Sequence, residues 1–267
     1  MWGAIIGDIA GSRYEFHNFK SKKIDLFDPR CRFTDDSVMT LAVAAALMES
    51  GEDPEALGAA AVRWMQGIGR KYPECGFGGR FFKWIFFEGN PKPYGSYGNG
   101  AAMRISPVGF YARSEDEVKR LARAVTAVSH DHPESFKAAE AVAMAIYLAR
   151  TGADMAAIRA RIERDYYPIK FTLDDIREDY RFDVSCQGSV PQALEAFFES
   201  DSFEDAIRNA ISIGGDSDTI AAIAGGVAGA YYGAPESDVR TAEAFLDDTL
   251  RGIARRWQDF MEQRQGS

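Results

Sequence analysis

Apolar and small residues recur along this chain at the three-to-four-residue spacing of helices that bury one face. From Ser37 onward, Val38, Leu41, Ala42, Ala45 and Leu47/Met48 fall on one side, and Gly51 supplies a C-terminal stop. The pattern predicts a helix over 55–72 through Leu57, Ala61, Trp64, Met65 and Ile68, and another over 115–130 through Val118, Leu121, Ala122, Val125 and Val128. Pro133 suits a first helical turn, and Ala138, Val142, Ala145, Ile146 and Ala149 keep register up to Arg150. Further helices are expected over 191–199, 203–213, 218–232 and 237–264. β-Friendly residues without helical spacing occur only over 24–27 and within 166–184. Two longer stretches, 72–99 and 164–187, carry no clear period, which suits functional loops, the rim of a cleft or plain surface connections. No strand–helix alternation appears, so a doubly wound α/β fold is excluded. The expectation is a single all-α domain spanning 1–267.

The 267 residues are 46% hydrophobic and 27% charged, a globular composition long enough to bury a core without disulfide staples. No apolar run approaches the roughly 20 residues that span a bilayer, and the N-terminal stretch lacks the basic region of a secretory signal. No membrane partner is expected. The formal net charge of −9 argues against an extended nucleic-acid groove, which needs a basic surface. Three separated cysteines (Cys31, Cys75, Cys186) and three histidines (His17, His130, His132) assemble no zinc pattern. They suit a reducing, cytoplasmic compartment. The remaining candidates for chemistry are carboxylates.

Thr34-Asp35-Asp36-Ser37 stands at the start of a predicted helix. One of these side chains could be a simple N-cap, but a cap accounts for one side chain and not for four. Gly214-Gly215-Asp216-Ser217-Asp218-Thr219 stands at another helix start, ahead of a run with almost no polar side chain. Several hard oxygens within one turn suit Mg²⁺, Mn²⁺ or Ca²⁺, and an apolar helix behind them would be buried and rigid. The two clusters are either a pair of unrelated caps or one cation site. Gly98-Asn99-Gly100 before a helix could cradle phosphate oxygens, yet it lacks the Lys-Ser/Thr of a Walker loop. Gly7-Asp8 to Gly11-Ser12 reads as tight helix packing, with Glu15 a solvated acid on this evidence alone. Ser129-His130 has no nucleophile elbow around it and reads as a helix end.

Taken in order, these pieces resemble the ADP-ribosylglycohydrolase family. The matching residues are Gly7-Asp8-x-x-Gly11-Ser12-x-Tyr14-Glu15, Thr34-Asp35-Asp36-Ser37, Gly98-Asn99-Gly100-Ala101-Ala102-Met103-Arg104 with Pro107, Ser129-His130 and Gly214-Gly215-Asp216-Ser217-Asp218-Thr219-Ile220-Ala221. The resemblance implies an all-α orthogonal helical bundle with a binuclear centre, two Mg²⁺ or Mn²⁺, at the bottom of a cleft. By position it implies Thr34, Asp35, Asp36, Asp216, Asp218, Thr219 and Glu15 as metal ligands. It places Gly98, Asn99, Gly100, Ala101 and Met103 along the diphosphate and ribose, Ser129 and His130 at the cleft wall, and Gly215 and Ser217 beside the substrate. The reaction it implies is hydrolysis at C1″ of the distal ribose, releasing ADP-ribose from a modified acceptor. A monomer is expected. Asp35 or Asp36 would take the water proton, with Glu15 as the rival base. Phe77, Phe81, Tyr97 and Tyr232 are candidates for stacking on adenine. Two other readings stand beside this one: an ADP-ribose-binding or structural protein of the same fold without turnover, and a metal phosphohydrolase cutting the diphosphate. The acceptor is open, since the rim matches no one branch of the family.

Overall fold

In the computed structural model residues 1–265 are described, and every regular element among them is a helix. The first four are α1 (Trp2–Ser12), α2 (Asp35–Ser50), α3 (Pro54–Gly69) and α4 (Gly79–Phe86). The middle of the chain forms α5 (Gly100–Met103), α6 (Ser106–Tyr111), α7 (Glu115–Ala127), α8 (Pro133–Arg150), α9 (Met155–Asp165) and α10 (Leu173–Ile176). The last five are α11 (Cys186–Phe198), α12 (Phe203–Ser212), α13 (Ser217–Tyr231), α14 (Glu236–Phe245) and α15 (Asp248–Gln265). Most starts are written locally. Thr34, Asp53, Ser114, Asp154 and Ser202 each accept a backbone N–H from the first turn of the helix they precede.

Several expectations change. The β-friendly stretches form no strand; among the described residues a single isolated bridge pairs Gly98 with Ser185. The segment expected as one helix over 237–264 is two, because Leu246 is extended and the Asp247 carboxylate accepts the Leu250 N–H at 3.0 Å, capping a new start. The helix expected from Pro191 begins five residues earlier, capped by Ser185, and carries Pro191 in its interior. The aperiodic stretch 72–99 holds α4, whose buried residues Phe81, Trp84 and Ile85 follow helical spacing. The stretch 164–187 holds the short α10, closed by a Thr172–Asp175 capping box.

At the centre lies α13, buried from Ser217 to Ala228 and flanked by α1, α8, α11 and α12. The contact with α1 is the closest. Gly3, Gly7 and Gly11 are four apart and so share one face. A Cβ at Gly7 would stand 2.0 Å from the Ala221 carbonyl oxygen, and one at Gly11 would stand 2.4 Å from that of Ser217. The two backbones touch because no side chain separates them. This contact carries the end of α1, and with it Glu15, to the first turn of α13, where Asp216 and Asp218 stand.

Candidate active site

Three chain segments converge on one acidic cluster: the end of α1, the start of α2 and the start of α13. The start of α2 is pinned by a residue that the sequence reading gave no role. Asp8 is fully buried in α1, the one charged residue of that helix, and a carboxylate there needs partners. Its Oδ1 accepts the Thr34 hydroxyl at 2.7 Å, and its Oδ2 accepts the backbone N–H groups of Thr34 and Ser37 at 3.0 and 3.1 Å and the Ser37 hydroxyl. The Asp35 N–H donates to the Cys75 carbonyl at 2.9 Å, tying the loop ahead of α4 to the same spot. At the other helix start, Gly214 and Gly215 take φ of +68° and +75°, a left-handed pair that turns the chain into α13.

Asp36 and Thr219 link the two helix starts, the Thr219 hydroxyl donating to Asp36 Oδ2 at 3.1 Å. Asp36 Oδ1 is buried and has no hydrogen-bond partner among the described residues. Asn99 Nδ2 donates to Asp216 Oδ2 at 2.6 Å and to Ser189 at 2.9 Å, and Asp218 Oδ1 accepts the Thr219 N–H at 2.9 Å. One carboxylate oxygen from each of Glu15, Asp216 and Asp218 lies within 4.8 Å of the others. So many acids in one buried place cannot all ionise unaided. Burial and then the Asp218 charge push the Glu15 carboxyl up to about 8, against the opposing pull of Arg32. Asp216 rises to about 6, mainly through burial. Asp35, Asp36 and Asp218 are held well above the usual carboxylate range by burial first and by neighbouring aspartates second. The donor set is all oxygen, anionic, preorganised by Asp8 and Asn99, and has an unsatisfied buried oxygen. It fits hard divalent cations.

The cluster forms one end of a cleft of about 440 Å³. Glu15, Asp35, Asp36, Asp216, Asp218 and Thr219 line it, and so do Gly98, Asn99, Gly100, Met103 and His130. Thr34, Ala101, Ser129, Gly215 and Ser217 stand behind the wall instead. Thr34 is committed to Asp8, Ser217 donates its hydroxyl to the Gly11 carbonyl at 3.1 Å, and Ala101 and Ser129 are fully buried. A Cβ at Gly215 would meet the Tyr180 ring at 2.4 Å, so that glycine makes room for the loop that covers it. Phe81 lines the cleft, whereas Tyr232 lies beyond the far end of α13, roughly 20 Å along the helix, donating to the Ser200 carbonyl. The cleft also gathers residues without a sequence signal. Phe16 and Phe182 are exposed at its mouth with ring centroids 6.1 Å apart, and Arg80 lies 4.6 Å over the Tyr94 ring. Two exposed phenylalanines 166 positions apart have no motif to connect them; only the fold does.

Comparison with known proteins agrees with the geometry. The family model for ADP-ribosylglycohydrolase matches residues 1–266. The chain is 26% identical to ADP-ribosylhydrolase ARH3 of Homo sapiens, over 93% of this chain and 89% of that protein. It is 27% identical to ADP-ribosylarginine hydrolase Tri1 of Pseudomonas putida, over 87% of this chain and 69% of that protein. Identity to the ADP-ribosyl-[dinitrogen reductase] glycohydrolase of Rhodospirillum rubrum is 31%, over 54% and 49% of the two chains. The fold is similar to a solved structure described as an ADP-ribosylglycohydrolase-related protein complex, with a TM-score of 0.60, 23% identity, and coverage of 95% of this chain and 94% of that one. The chain belongs to the ADP-ribosylglycohydrolase family, and its class of reaction is hydrolysis of a glycosyl bond.

Proposed function

We propose that this protein cleaves the glycosidic bond at C1″ of the distal ribose in an ADP-ribosylated acceptor and releases ADP-ribose. The observation that carries the reading is the convergence of Glu15, Asp36, Asp216 and Asp218 on one end of the cleft, with Asp36 Oδ1 unsatisfied. Glu15, Asp35, Asp36, Asp216, Asp218 and Thr219 would hold two Mg²⁺, with Mn²⁺ acceptable to the same oxygens. When bound, the cations supply Lewis acidity and positive charge that fix vicinal ribose hydroxyls and offset the acidity of the cleft. The residues of the chain do the rest. Asp35 reaches the cleft lumen and takes the proton of the attacking water, with Glu15 as the alternative base. Asn99 keeps the Asp216 carboxylate in place and Asp8 pins the start of α2, so little reorganisation is needed as charge develops at C1″. Gly98 and Gly100 let the backbone approach the diphosphate closely. The three free cysteines fit a reducing compartment, and we place the protein in the cytoplasm.

Asp36→Ala and Asp218→Ala test the assignment. Both are expected to abolish ADP-ribose release while the helical circular-dichroism spectrum is retained. Release at the wild-type rate from either variant, with chelator present, would end the reading. A product of AMP plus a ribose phosphate would move the reaction to the diphosphate.

A further inference from the structure

His130 meets the cleft at one edge of its ring and a buried cation at the other. Its Nε2 lies 3.2 Å from where a Cβ at Gly100 would stand and 3.7 Å from one at Gly98, so this edge faces the glycine turn of the cleft wall. On the opposite edge, Nδ1 is 2.8 Å from the Ser129 hydroxyl oxygen and 3.5 Å from Arg104 Nη2. Arg104 Nη2 donates to that same Ser129 oxygen at 2.8 Å. Arg104 follows the end of α5 and is fully buried, its guanidinium 5.2 Å over the Phe81 ring. No carboxylate pairs with it among the described residues, and its Nε and Nη1 have no partner there. An unpaired buried cation is costly, so stability alone gives no reason for it.

An arginine only donates. With Nη2 donating to Ser129, the serine proton is free for the neighbouring Nδ1, whereas a proton on Nδ1 would face the N–H of the arginine. We propose that Arg104, acting through Ser129, is a positioning residue that holds His130 as the neutral tautomer protonated on Nε2, so that a fixed neutral donor points at the Gly98–Gly100 wall. This rests on the reading of that wall as the seat of substrate diphosphate and ribose oxygens. The groups that face the ring are Arg104 and Ser129 on the Nδ1 side, Phe81 of α4 at 5.9 Å, and Tyr94 at 5.7 Å, whose own ring has the Arg80 guanidinium 4.6 Å from its centroid. Burial first, and the Arg104 charge second, hold the imidazole well below its usual protonation range. His130 is therefore a hydrogen-bond donor to substrate and transfers no proton in the reaction.

Long-range ¹H–¹⁵N NMR of the full-length protein tests this directly. The chain has three histidines, so His17→Gln and His132→Gln assign the spectrum. His130 is expected to show an unprotonated Nδ1 and a protonated Nε2, unchanged across about pH 5 to 8. Ser129→Ala with Arg104→Met leaves neither group facing Nδ1 and is expected to give a mixture of tautomers, while Ser129→Ala alone loosens the ring and is expected to weaken calorimetric binding of ADP-ribose about tenfold. In turnover it should raise KM more than it lowers kcat, and Ser129→Thr should restore both. An imidazolium or an Nδ1-protonated ring in the wild-type protein overturns the proposal, and that spectrum needs no variant to fold. So does a folded Ser129→Ala protein with unchanged affinity, or a folded double variant with unchanged tautomer. If the wild-type protein binds no ADP-ribose, the proposed function fails, and the tautomer spectrum still decides the relay.

Discussion

Asp8 and Asp36 are both buried aspartates, yet they answer opposite demands. Asp8 accepts from two backbone N–H groups and two hydroxyls, so its carboxylate is satisfied by the protein itself. Asp8→Asn would turn one acceptor into a donor aimed at other donors. It is expected to cost about 1–3 kcal/mol in urea denaturation. Asp36 has an unsatisfied oxygen and aspartates on every side. In chelator, Asp36→Asn is expected to stabilise the protein by about 1 kcal/mol while abolishing turnover, the trade typical of a strained functional site. A thermal scan in which Asp36→Asn melts below the wild type in chelator would contradict this. The aspartates at the starts of α2 and α13 were legible in the sequence because they cluster beside hydroxyls at helix starts. Asp8 was not, since a lone acid inside Ile6-Gly7-Asp8-Ile9 carries no role until the backbone it caps is known. The signal that could have found it is its burial: an acid in an apolar helix needs several donors.

At the level of elements, the site depends on how close α1 comes to α13. Gly7→Ala places a methyl group 2.0 Å from a carbonyl oxygen that belongs to a helix backbone and cannot rotate away. The expected cost is about 2 kcal/mol or more. Activity should fall further than the fraction folded, because separating the helices moves Glu15 away from Asp218. Comparing unfolding free energy with turnover in the folded population checks this; a Gly7→Ala protein of wild-type stability and activity would show that the contact does not set the site. The long periodic helices α2, α3, α8 and α13 were readable from spacing, as were the small residues of α1. Helix α9 was not: it buries only Ile158 and Ile162, too few points for a period, behind a Gly152–Asp154 stretch that reads as a turn. Helix α4 was hidden by the glycines that precede it, although Phe81, Trp84 and Ile85 hold helical spacing.

For the whole molecule, the net charge of −9 first excluded a nucleic-acid groove, and the fold shows where its consequential part lies. Most acids are solvated or paired on the surface; those at the starts of α2 and α13 and at the end of α1 face one another. This makes stability depend on pH when cations are withheld. Glu15, raised from 4.5 to about 8, and Asp216, raised from 3.8 to about 6, bind protons more tightly folded than unfolded. Their contribution is therefore present in full below the unfolded values and is lost as pH rises through the folded ones. In chelator the melting temperature should fall between about pH 5 and 8, and Mg²⁺ should flatten that slope by binding the ionised acids. A flat profile in chelator would mean that the acids are relieved by something other than cations. Product analysis on arginine-, serine-, ester- and base-linked ADP-ribose, each with Mg²⁺, with Mn²⁺ and with chelator, decides whether the acidic cleft is a cation-dependent glycohydrolase. Intact ADP-ribose is expected from at least one of these substrates, lost in chelator and lost in Asp218→Ala. No ADP-ribose from any of them, or release undiminished by chelator, would contradict that reading.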